Sequence, residues 1–197
     1  MVIFGGGGFL GSHVADVMSE KGYDVLVYDT ERSRYLRDGQ RQVTGDVLDE
    51  GMVSEAVKGA RFVFNFSGIS NLDECSEAPV SAIRHNVLGH TIISEAAAAA
   101  DVEKVIFASS IYVYSRHGSF YRVGKQSCEL LCEAFQEKYG LKYTILRYGS
   151  LYGPRSQPWN GINRYVEQAL LEGRIDYAGT GDERREYIYV RNAAELS

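Results

Sequence analysis

A tyrosine and a lysine four residues apart, Tyr121 and Lys125 in YRVGK, could together exchange a proton with a substrate hydroxyl group. On a helix, this spacing places both side chains on one face. An ammonium group beside a phenol favours the phenolate and lowers the pKa of the phenol from about 10. The same spacing occurs by chance in many helices, so a surface pair is the alternative interpretation.

Two serines, Ser109 and Ser110 in FASSIYVY, lie where an apolar strand is predicted to end. Ligands of doubly wound sheets bind outside the carboxyl ends of the strands. A serine at such an end could relay or share the proton that moves between Tyr121 and a substrate. The alternative role is to cap a turn. We therefore expect acid–base chemistry in which Tyr121, Lys125 and a serine take part.

The elements that must position these residues alternate along the chain. Short apolar runs predict strands at 1–4, 24–28, 41–44, 61–66, 104–108 and 143–147. Amphipathic stretches between them predict helices at 9–20, 50–58, 81–100 and 120–139. Strands such as FVFNF are apolar throughout, as expected when helices cover both faces of a sheet. This order predicts an α/β fold with a Rossmann-like, doubly wound parallel sheet.

The composition of the sequence changes after Tyr148, where GSLYGPRSQPWNG contains most of the prolines. We expect a helix at 161–171, a short strand at 174–177 and a last strand at 186–190. The final residues, NAAELS, are typical of the first turn of a helix.

Four consecutive glycines follow the first predicted strand and precede the first predicted helix. Gly5, Gly8 and Gly11 have the spacing that permits a tight turn, the approach of a ligand to the backbone, and close packing of helix on strand. The amides at the start of a helix and the helix dipole favour a pyrophosphate. The sequence therefore predicts a dinucleotide-binding site, with a purely structural turn as the alternative.

Two aspartates are placed to contact the adenosine part of such a cofactor. Asp29 ends the second predicted strand, where a carboxylate can accept hydrogen bonds from the ribose hydroxyls and repel a 2′-phosphate. We therefore expect NAD, with NADP less favoured, although Arg32 and Arg34 could hold a 2′-phosphate. Asp46 could contact adenine or cap the next helix, a role for which Asp49 is better placed.

Composition excludes several other classes of protein. The 197 residues carry a net charge of −5 without a Lys/Arg cluster, which argues against nucleic-acid binding. No apolar run is long enough to span a membrane, and no signal peptide is apparent, so a cytoplasmic location is expected. The three cysteines have no metal-ligand spacing, and we expect reduced thiols packed on helices.

Nine motifs follow one another in an order known from one superfamily: GGGGFLGSH, YDT, GDV, FNFSG, NVLGH, FASSIYVY, YRVGKQSCE, LRYGSLYGP and REYIYV. Together they resemble the extended short-chain dehydrogenase/reductase superfamily, particularly its NAD-dependent nucleotide-sugar epimerase/dehydratase family. The resemblance covers nearly the whole chain.

The resemblance implies a role for each matching residue. Ser110, Tyr121 and Lys125 correspond to the catalytic triad of the family. The implied cofactor-binding set is Gly5, Gly8, Phe9, Leu10, Asp29, Asp46, Val47, Phe66, Ser67, Gly68, Asn86, Tyr121, Lys125 and Tyr148. The implied substrate-binding residues are Ser110, Ser150, which replaces a common asparagine, and Arg185, which matches an arginine that often contacts the nucleotide diphosphate.

The reaction implied by the resemblance passes through a transient keto-sugar. Tyr121 would remove a proton from a sugar hydroxyl while hydride passes to the nicotinamide, and an epimerase returns the hydride to the other face. Related 4,6-dehydratases carry an Asp-Glu pair after the catalytic hydroxyl residue, where this chain has Ile111 and Tyr112. We expect a 4-epimerase-like enzyme, with a reductase/dehydrogenase or a non-catalytic NAD-binding, redox-sensing module as alternatives.

Two departures from the family concern the substrate. Residues 115–119 form a shorter loop than relatives carry beside the sugar pocket, and members of the family have a longer C-terminal lobe. We therefore expect a Rossmann domain at 1–150 and an incomplete small substrate lobe at 151–197. The expected partners are a nucleotide-diphosphate sugar and a second copy of the chain, paired through the helix that carries Tyr121.

Overall fold

The computed structural model describes residues 1–177 and 179–197 as an α/β fold with a parallel six-stranded sheet. Its strands are β1 Val2–Phe4, β2 Leu26–Asp29, β3 Arg41–Thr44, β4 Phe62–Asn65, β5 Lys104–Ser110 and β6 Lys142–Tyr148. A second sheet pairs β7 Ser150–Tyr152 with β8 Tyr187–Tyr189, also in parallel. The predicted fold class is confirmed.

Within the described ranges, eight helices connect and cover these strands. In chain order they are α1 Phe9–Glu20, α2 Glu50–Val57, α3 Leu72–Glu77, α4 Pro79–Ile83, α5 Gly89–Ala99, α6 Ser119–Tyr139, α7 Gly161–Glu172 and α8 Val190–Leu196. A π-helical turn, Arg84–Leu88, joins α4 to α5, and a 3₁₀ turn, Ile111–Tyr114, follows β5.

The strand order of the large sheet is β3-β2-β1-β4-β5-β6. The order reverses direction at β1, which pairs with both β2 and β4. In doubly wound sheets, ligands bind in the crevice at this reversal, outside the carboxyl ends of the strands. The topology therefore places one candidate crevice directly beyond Phe4, the last residue of β1.

Two sequence-based expectations about elements are corrected, and one helix had not been expected. The helix expected at 81–100 is two helices joined by the π turn, which shifts the register of the side chains around Asn86. Helix α3, capped by the Asn71 side chain, was not expected. Residues 174–177 form no strand. All four are exposed, and none of the strands in the described ranges pairs with them, whereas strand formation depends on such pairing and packing.

The segment after β6 returns to the first helix of the sheet. Ala194 of α8 packs into the same apolar cluster as Val14 of α1 and Ile3 of β1. Arg155, after β7, donates to the buried carboxylate of Asp16 on α1 at 2.8 Å. Through Arg155 and α8, the chain after β6 is thus anchored to α1, the helix that follows the glycine turn.

All three cysteines are free and buried, as expected. Cys75 lies on α3, and Cys128 and Cys132 lie one turn apart on α6. Within the residues that the structure describes, no helix combines the length and apolar character needed to cross a bilayer.

Candidate active site

Six segments that follow the strands of the large sheet contain most of the predicted site residues. The glycine turn follows β1, Asp29 ends β2, Asp46 lies after β3, and Ser67 lies after β4. Ser110 ends β5 and is in register with Tyr148 at the end of β6. Because parallel strands point the same way, these residues share one edge of the sheet.

The glycine turn is packed so closely that side chains are excluded at Gly5, Gly6 and Gly11. Gly5 has φ +72°, and a Cβ there would lie 2.6 Å from the carbonyl carbon of Phe66. A Cβ on Gly11 would lie 2.2 Å from the carbonyl oxygen of Gly5. The first glycine therefore holds the turn against the segment after β4, and the last holds α1 against the turn.

The start of α1 is suited to an anionic ligand. Its N-cap residue is Gly8, no side chain of the described residues caps the helix, and its first turn carries no acidic residue. Phe9 and Leu10, the first two residues of α1, contribute amides of that first turn. Uncapped amides at a helix start, beside glycines without side chains, fit the pyrophosphate of a dinucleotide.

Asp29 connects the glycine turn to the end of β2. Its Oδ2 accepts a hydrogen bond from the Gly7 amide at 2.9 Å, and its Oδ1 accepts one from the Thr30 amide at 2.8 Å. Each carboxylate oxygen has further lone pairs that could accept a hydrogen bond from a ribose hydroxyl. Arg32 and Arg34 lie exposed in the loop that follows.

Asp46 and Val47 lie in the segment between β3 and α2. Asp49, and not Asp46, caps α2 by accepting from the Met52 amide at 2.9 Å, as the sequence predicts. Asp46 accepts from the Leu48 amide at 3.0 Å and keeps a largely exposed carboxylate. Val47 is buried, and its side chain occupies the space beside Gly89.

Lys125 and Tyr121 lie on one face of α6, as their spacing predicts. The Lys125 Nζ lies 5.6 Å from the centre of the Tyr121 ring and 4.9 Å from that of Phe107. It donates a hydrogen bond to the carbonyl oxygen of Ala108 at 2.6 Å. Burial of the ammonium group lowers its pKa.

The pKa of Tyr121 departs from the sequence-based expectation. In the protein alone, burial of the phenol raises this pKa to about 12, and hydrogen bonding with Ser110 opposes the increase only partly. The expected lowering below the usual value is therefore wrong for the protein by itself. Lys125 interacts with the face of the Tyr121 ring and makes its hydrogen bond elsewhere, which leaves burial as the dominant effect.

The structure distinguishes the two serines at the end of β5. Ser110 interacts with the Tyr121 hydroxyl and accepts a hydrogen bond from the Tyr112 amide at 3.2 Å. Ser109 points to the other side of the strand and donates to Glu129 Oε1 at 2.5 Å. Ser110 is therefore the serine that could share a proton with Tyr121.

Asn86 holds the segment after β4 in place. Its Oδ1 accepts from the Ile69 amide at 2.6 Å, and its Nδ2 donates to the Ile69 carbonyl at 3.0 Å. A Cβ on Gly68 would lie 2.3 Å from the Asn86 Oδ1. Asn86 thus contacts Gly68, and both ends of its amide are bonded to the backbone of Ile69.

The remaining predicted residues lie on the C-terminal side of the crevice. The Tyr148 hydroxyl is 2.6 Å from the Ser197 Oγ, and burial raises its pKa to about 12. Ser150 begins β7, and its amide donates to the carbonyl of Glu186 at 2.9 Å. Arg185 precedes Glu186 in an exposed segment, so Ser150 and Arg185 lie on neighbouring chain segments.

Two buried polar residues were not singled out as site residues from the sequence. Asn65 ends β4 and accepts hydrogen bonds from the amide and hydroxyl of Ser67. His90, on α5, contacts the other end of the Asn65 amide. In the sequence, Asn65 is recognisable as a polar residue at the end of an apolar strand. Its partner His90 lies 25 positions further along the chain and could not be identified from spacing.

The whole chain, residues 1–197, matches the NAD dependent epimerase/dehydratase family. Among curated relatives, the UDP-N-acetyl-alpha-D-glucosaminuronate decarboxylase of Bacillus cytotoxicus is 30% identical over 100% of this chain and 69% of its own length. The family therefore includes more than one reaction on nucleotide sugars.

Two solved structures share the fold over almost all of the chain. The UDP-glucose 4-epimerase of Thermotoga maritima, solved with UDP-glucose, is 28% identical with a TM-score of 0.92, over 98% of this chain and 70% of that one. The UDP-glucose 4-epimerase of Thermus thermophilus, solved with NAD, is 28% identical with a TM-score of 0.87, over 98% and 71%.

The match to the family covers every strand of the large sheet and every site segment described above. The family expected from the motifs is thereby confirmed. The chain belongs to the NAD-dependent epimerase/dehydratase family of extended short-chain dehydrogenases/reductases, and it is an NAD-dependent enzyme.

Proposed function

We propose that this chain is a nucleotide-sugar 4-epimerase that works through a transient keto-sugar. The observation that carries the proposal is the grouping of Ser110, Tyr121 and Lys125 at the same sheet edge as the glycine turn. A proton-transfer group beside a dinucleotide site is what oxidation of a sugar hydroxyl requires.

The residues divide the work of such a reaction. The uncapped amides of α1 and the Asp29 carboxylate hold the dinucleotide, which, when bound in its oxidised form, accepts a hydride and adds positive charge beside the phenol. Tyr121, as phenolate, takes the proton of the sugar hydroxyl while the carbonyl forms, and it returns that proton when hydride is delivered to the opposite face. Ser110 shares the proton, and Lys125 adds a nearby positive charge.

We propose NAD rather than NADP as the cofactor. The Asp29 carboxylate lies against the glycine turn through the Gly7 amide. A 2′-phosphate placed at the same ribose would face this negative charge at short range, which is unfavourable. The exposed Arg32 and Arg34 are the residues that could offset this repulsion.

The residues after Ser110 favour epimerisation over dehydration. Ile111 and Tyr112 lie in the 3₁₀ turn where dehydratases of the family carry an acidic pair. In dehydration, one carboxyl group protonates the leaving hydroxyl group and the other removes a carbon-bound proton. An isoleucine and a tyrosine cannot replace this pair. Reduction or dehydrogenation of a nucleotide sugar uses the same Ser110, Tyr121 and Lys125 and is the alternative reaction.

The proposed substrate is a nucleotide-diphosphate sugar. Ser150 and Arg185 lie at the small sheet, and Arg185 supplies a cation for the diphosphate in an otherwise acidic chain. We propose that residues 1–150 hold NAD and that residues 151–197 form part of the substrate lobe. The Thermotoga maritima relative was solved with UDP-glucose, which makes it the first substrate to test.

We further propose that two copies of the chain pair through α6. Along this helix, Val123 is 42% exposed and Leu130 is 64% exposed, although its opposite face is buried at Cys128 and Cys132. Apolar side chains on both sides of one helix are expected when a second helix covers the outer face. Light scattering of the purified protein, with Leu130→Glu as the test variant, should report a dimer that the substitution dissociates.

The raised pKa of Tyr121 favours one alternative, a non-catalytic NAD-binding or redox-sensing module. A phenol that stays protonated at neutral pH even with cofactor bound could not act as a base. The two functions differ in whether hydride is exchanged, since both require NAD.

The deciding experiment incubates the purified chain and NAD with UDP-glucose carrying deuterium at C4. We expect formation of the C4 epimer with deuterium retained at C4, because the hydride stays within the site between removal and return. Tyr121→Phe should abolish turnover and keep NAD binding. Tyr112→Phe, whose ring lies 6.1 Å from that of Tyr121, is the matched control and should remain active.

Full NAD occupancy without conversion of UDP-glucose or any other nucleotide sugar would contradict the epimerase proposal and favour the non-catalytic module. Net consumption of NAD or NADH with the sugar would favour the reductase/dehydrogenase alternative. Unchanged turnover in Tyr121→Phe would exclude Tyr121 as the proton-transfer group.

A further inference from the structure

A buried hydrogen-bond chain ends at the cofactor-side segment after β4. Asn65 is 2% exposed, and its Oδ1 accepts hydrogen bonds from the Ser67 amide at 3.0 Å and the Ser67 hydroxyl at 2.6 Å. A backbone amide can only donate, so the atom facing it must be the oxygen of the asparagine side chain. The orientation of the Asn65 amide is therefore determined by its partners.

This orientation also determines the protonation of a histidine. The Asn65 Nδ2, which can only donate, lies 3.0 Å from the His90 Nδ1. Nδ1 must therefore accept, and the neutral imidazole carries its proton on Nε2, which faces the Cys132 Sγ at 3.4 Å. The ring is fully buried and lies 4.5 Å from the ring of Phe107.

The hydrogen-bond chain ends on the Ser67 hydroxyl, in the segment whose backbone lies against the glycine turn. Because the Ser67 hydroxyl donates its hydrogen to Asn65, its oxygen has only lone pairs left to offer. The peptide between Phe66 and Ser67 is the part of the chain that contacts Gly5. A displacement of Ser67 would therefore move the backbone against which Gly5 packs. It would also free the Ser67 hydroxyl to donate its hydrogen to another group.

We propose that His90 is a positioning residue for cofactor binding, which acts through Asn65 to fix Ser67; this inference rests on the proposed binding of NAD in the crevice. Without an acceptor at position 90, the Asn65 Nδ2 would be a buried donor without a partner. An unpaired buried donor is costly enough for the amide to rotate or the strand end to shift. Either change releases the two hydrogen bonds to Ser67.

Two substitutions separate positioning from packing. His90→Asn places a carbonyl oxygen at the same number of bonds from the backbone as Nδ1, so it keeps an acceptor for Asn65 but leaves a cavity. His90→Phe keeps the ring and its contact with Phe107 but has no acceptor. A packing role predicts that phenylalanine is the better replacement, and a positioning role predicts that asparagine is.

The experiment measures the Kd for NAD by calorimetry and the Tm by thermal unfolding for both variants. We expect His90→Phe to raise the Kd about tenfold and His90→Asn to raise it by about threefold or less, whatever their Tm values. The control is Ile93→Ala, a cavity at a fully buried position on the same helix, which should lower the Tm and leave the Kd within about twofold.

The proposal would be overturned if, across all three variants, the rise in Kd for NAD were proportional to the fall in Tm. An unchanged Kd in His90→Phe would overturn it as well. A second measurement needs no variant and no cofactor. In the ¹⁵N-histidine-labelled protein, NMR should show His90 with an unprotonated Nδ1 and a protonated Nε2. A proton on Nδ1 would overturn the hydrogen-bond chain itself.

These readouts distinguish failure of this inference from failure of the proposed function. If the wild-type protein does not bind NAD, the proposed function fails, and a proton found on Nδ1 would then reject the hydrogen-bond chain separately. If NAD binds and the asparagine variant does not retain affinity better than the phenylalanine variant, only the positioning role fails.

Discussion

The Lys125 ammonium nitrogen lies 2.6 Å from the carbonyl oxygen of Ala108, to which it donates a hydrogen bond. This contact fixes α6 to β5 two residues before Ser110, and thereby sets the position of Tyr121 relative to Ser110. The buried positive charge is held next to the phenol ring by a main-chain oxygen and not by a carboxylate. Among the described residues it is therefore not neutralised by a counter-ion, and it remains available to stabilise a phenolate.

Lys125→Met should lower kcat by about 10²-fold or more, the range expected for loss of a group that supports proton transfer. Since the remaining phenol ionises less readily, the rise of activity with pH should also move to higher pH. Steady-state kinetics of UDP-sugar conversion from pH 6 to about pH 10 measures both effects. Lys138→Met, on the exposed face of the same helix, is the control. A normal pH profile in Lys125→Met would contradict this role.

Gly11→Ala should prevent the closed glycine turn from forming. The added Cβ would lie 2.2 Å from the Gly5 carbonyl oxygen, and that oxygen belongs to a backbone that cannot move without opening the turn. We expect a Tm lower by several degrees and an NAD Kd raised more than about tenfold. Gly161→Ala is the matched control, because a Cβ there meets no atom within 4 Å. Equal behaviour of the two variants would show that the close packing is unimportant.

Asp29→Asn should weaken the preference for NAD over NADP. The asparagine oxygen can still accept from the Gly7 amide, so the turn is retained, but the charge that repels a 2′-phosphate is lost. We expect the ratio of the two Kd values to fall about tenfold, mainly through tighter NADP binding. Asp24→Asn, just before the opposite end of β2, controls for the loss of one negative charge. If the wild-type protein prefers NADP, the assigned role of Asp29 is wrong.

The buried His90 should make the protein sensitive to acid. Burial, together with the charge of Lys125, lowers the pKa of His90 to about 3, below the usual 6.5. The unfolded chain therefore binds this proton first. The contribution of the neutral His90 to the free energy of unfolding is fully present above about pH 6.5. It is lost as the pH falls towards 3, by up to about 1.4 kcal/mol per pH unit.

Urea unfolding at pH 7.5 and pH 5 tests this dependence. From pH 7.5 to pH 5, the wild-type protein should lose up to about 2 kcal/mol more stability than His90→Asn, which has no titrating group at that position. Cys128, Cys132 and Lys125, the other titratable groups near the ring, stay unchanged in both proteins. His117→Asn, in the exposed loop, should behave as wild type. Equal losses of unfolding free energy in the wild type and in His90→Asn would contradict a neutral, buried imidazole at position 90.

Glu129→Gln should weaken the attachment of α6 to β5 and β6. Glu129 accepts from Ser109 at 2.5 Å and from two nitrogens of Arg147 at 3.0 and 2.8 Å. A glutamine side chain loses the charge and one acceptor, so we expect a loss on the order of 1–3 kcal/mol in the free energy of unfolding. Glu133→Gln, one turn further along α6 and exposed, should cost much less. Equal costs would show that the cluster adds no stability.

The residue pattern predicted the architecture because its signals are local. The apolar runs, the glycines after Phe4 and the four-residue spacing of Tyr121 and Lys125 can each be read within one or two elements. The parallel sheet then required all strand ends to meet at one edge, so Asp29, Ser67 and Ser110 could be expected near one another. The match to one family over residues 1–197 agrees with the expectation drawn from the motifs.

The elements that were missed or misread depend on tertiary contacts. Residues 174–177 have strand-like composition, but no strand of the described part of the chain pairs with them. The π turn around Asn86 arises where that residue's amide reaches Ile69. The contact with Ile69 cannot be identified from spacing, since it joins residues 17 positions apart in the chain. Strand and helix propensities are weak enough for such contacts to override them.

The sequence by itself therefore determined the fold, the edge that carries the site and the types of residue present there. Only the tertiary structure decided that Ser109 is bonded to Glu129, that the pKa of the Tyr121 phenol is raised and not lowered, and that His90 is bonded to Asn65. The physical reason is that residue type and spacing are properties of the chain, whereas burial and hydrogen-bond partners are created when distant segments pack together.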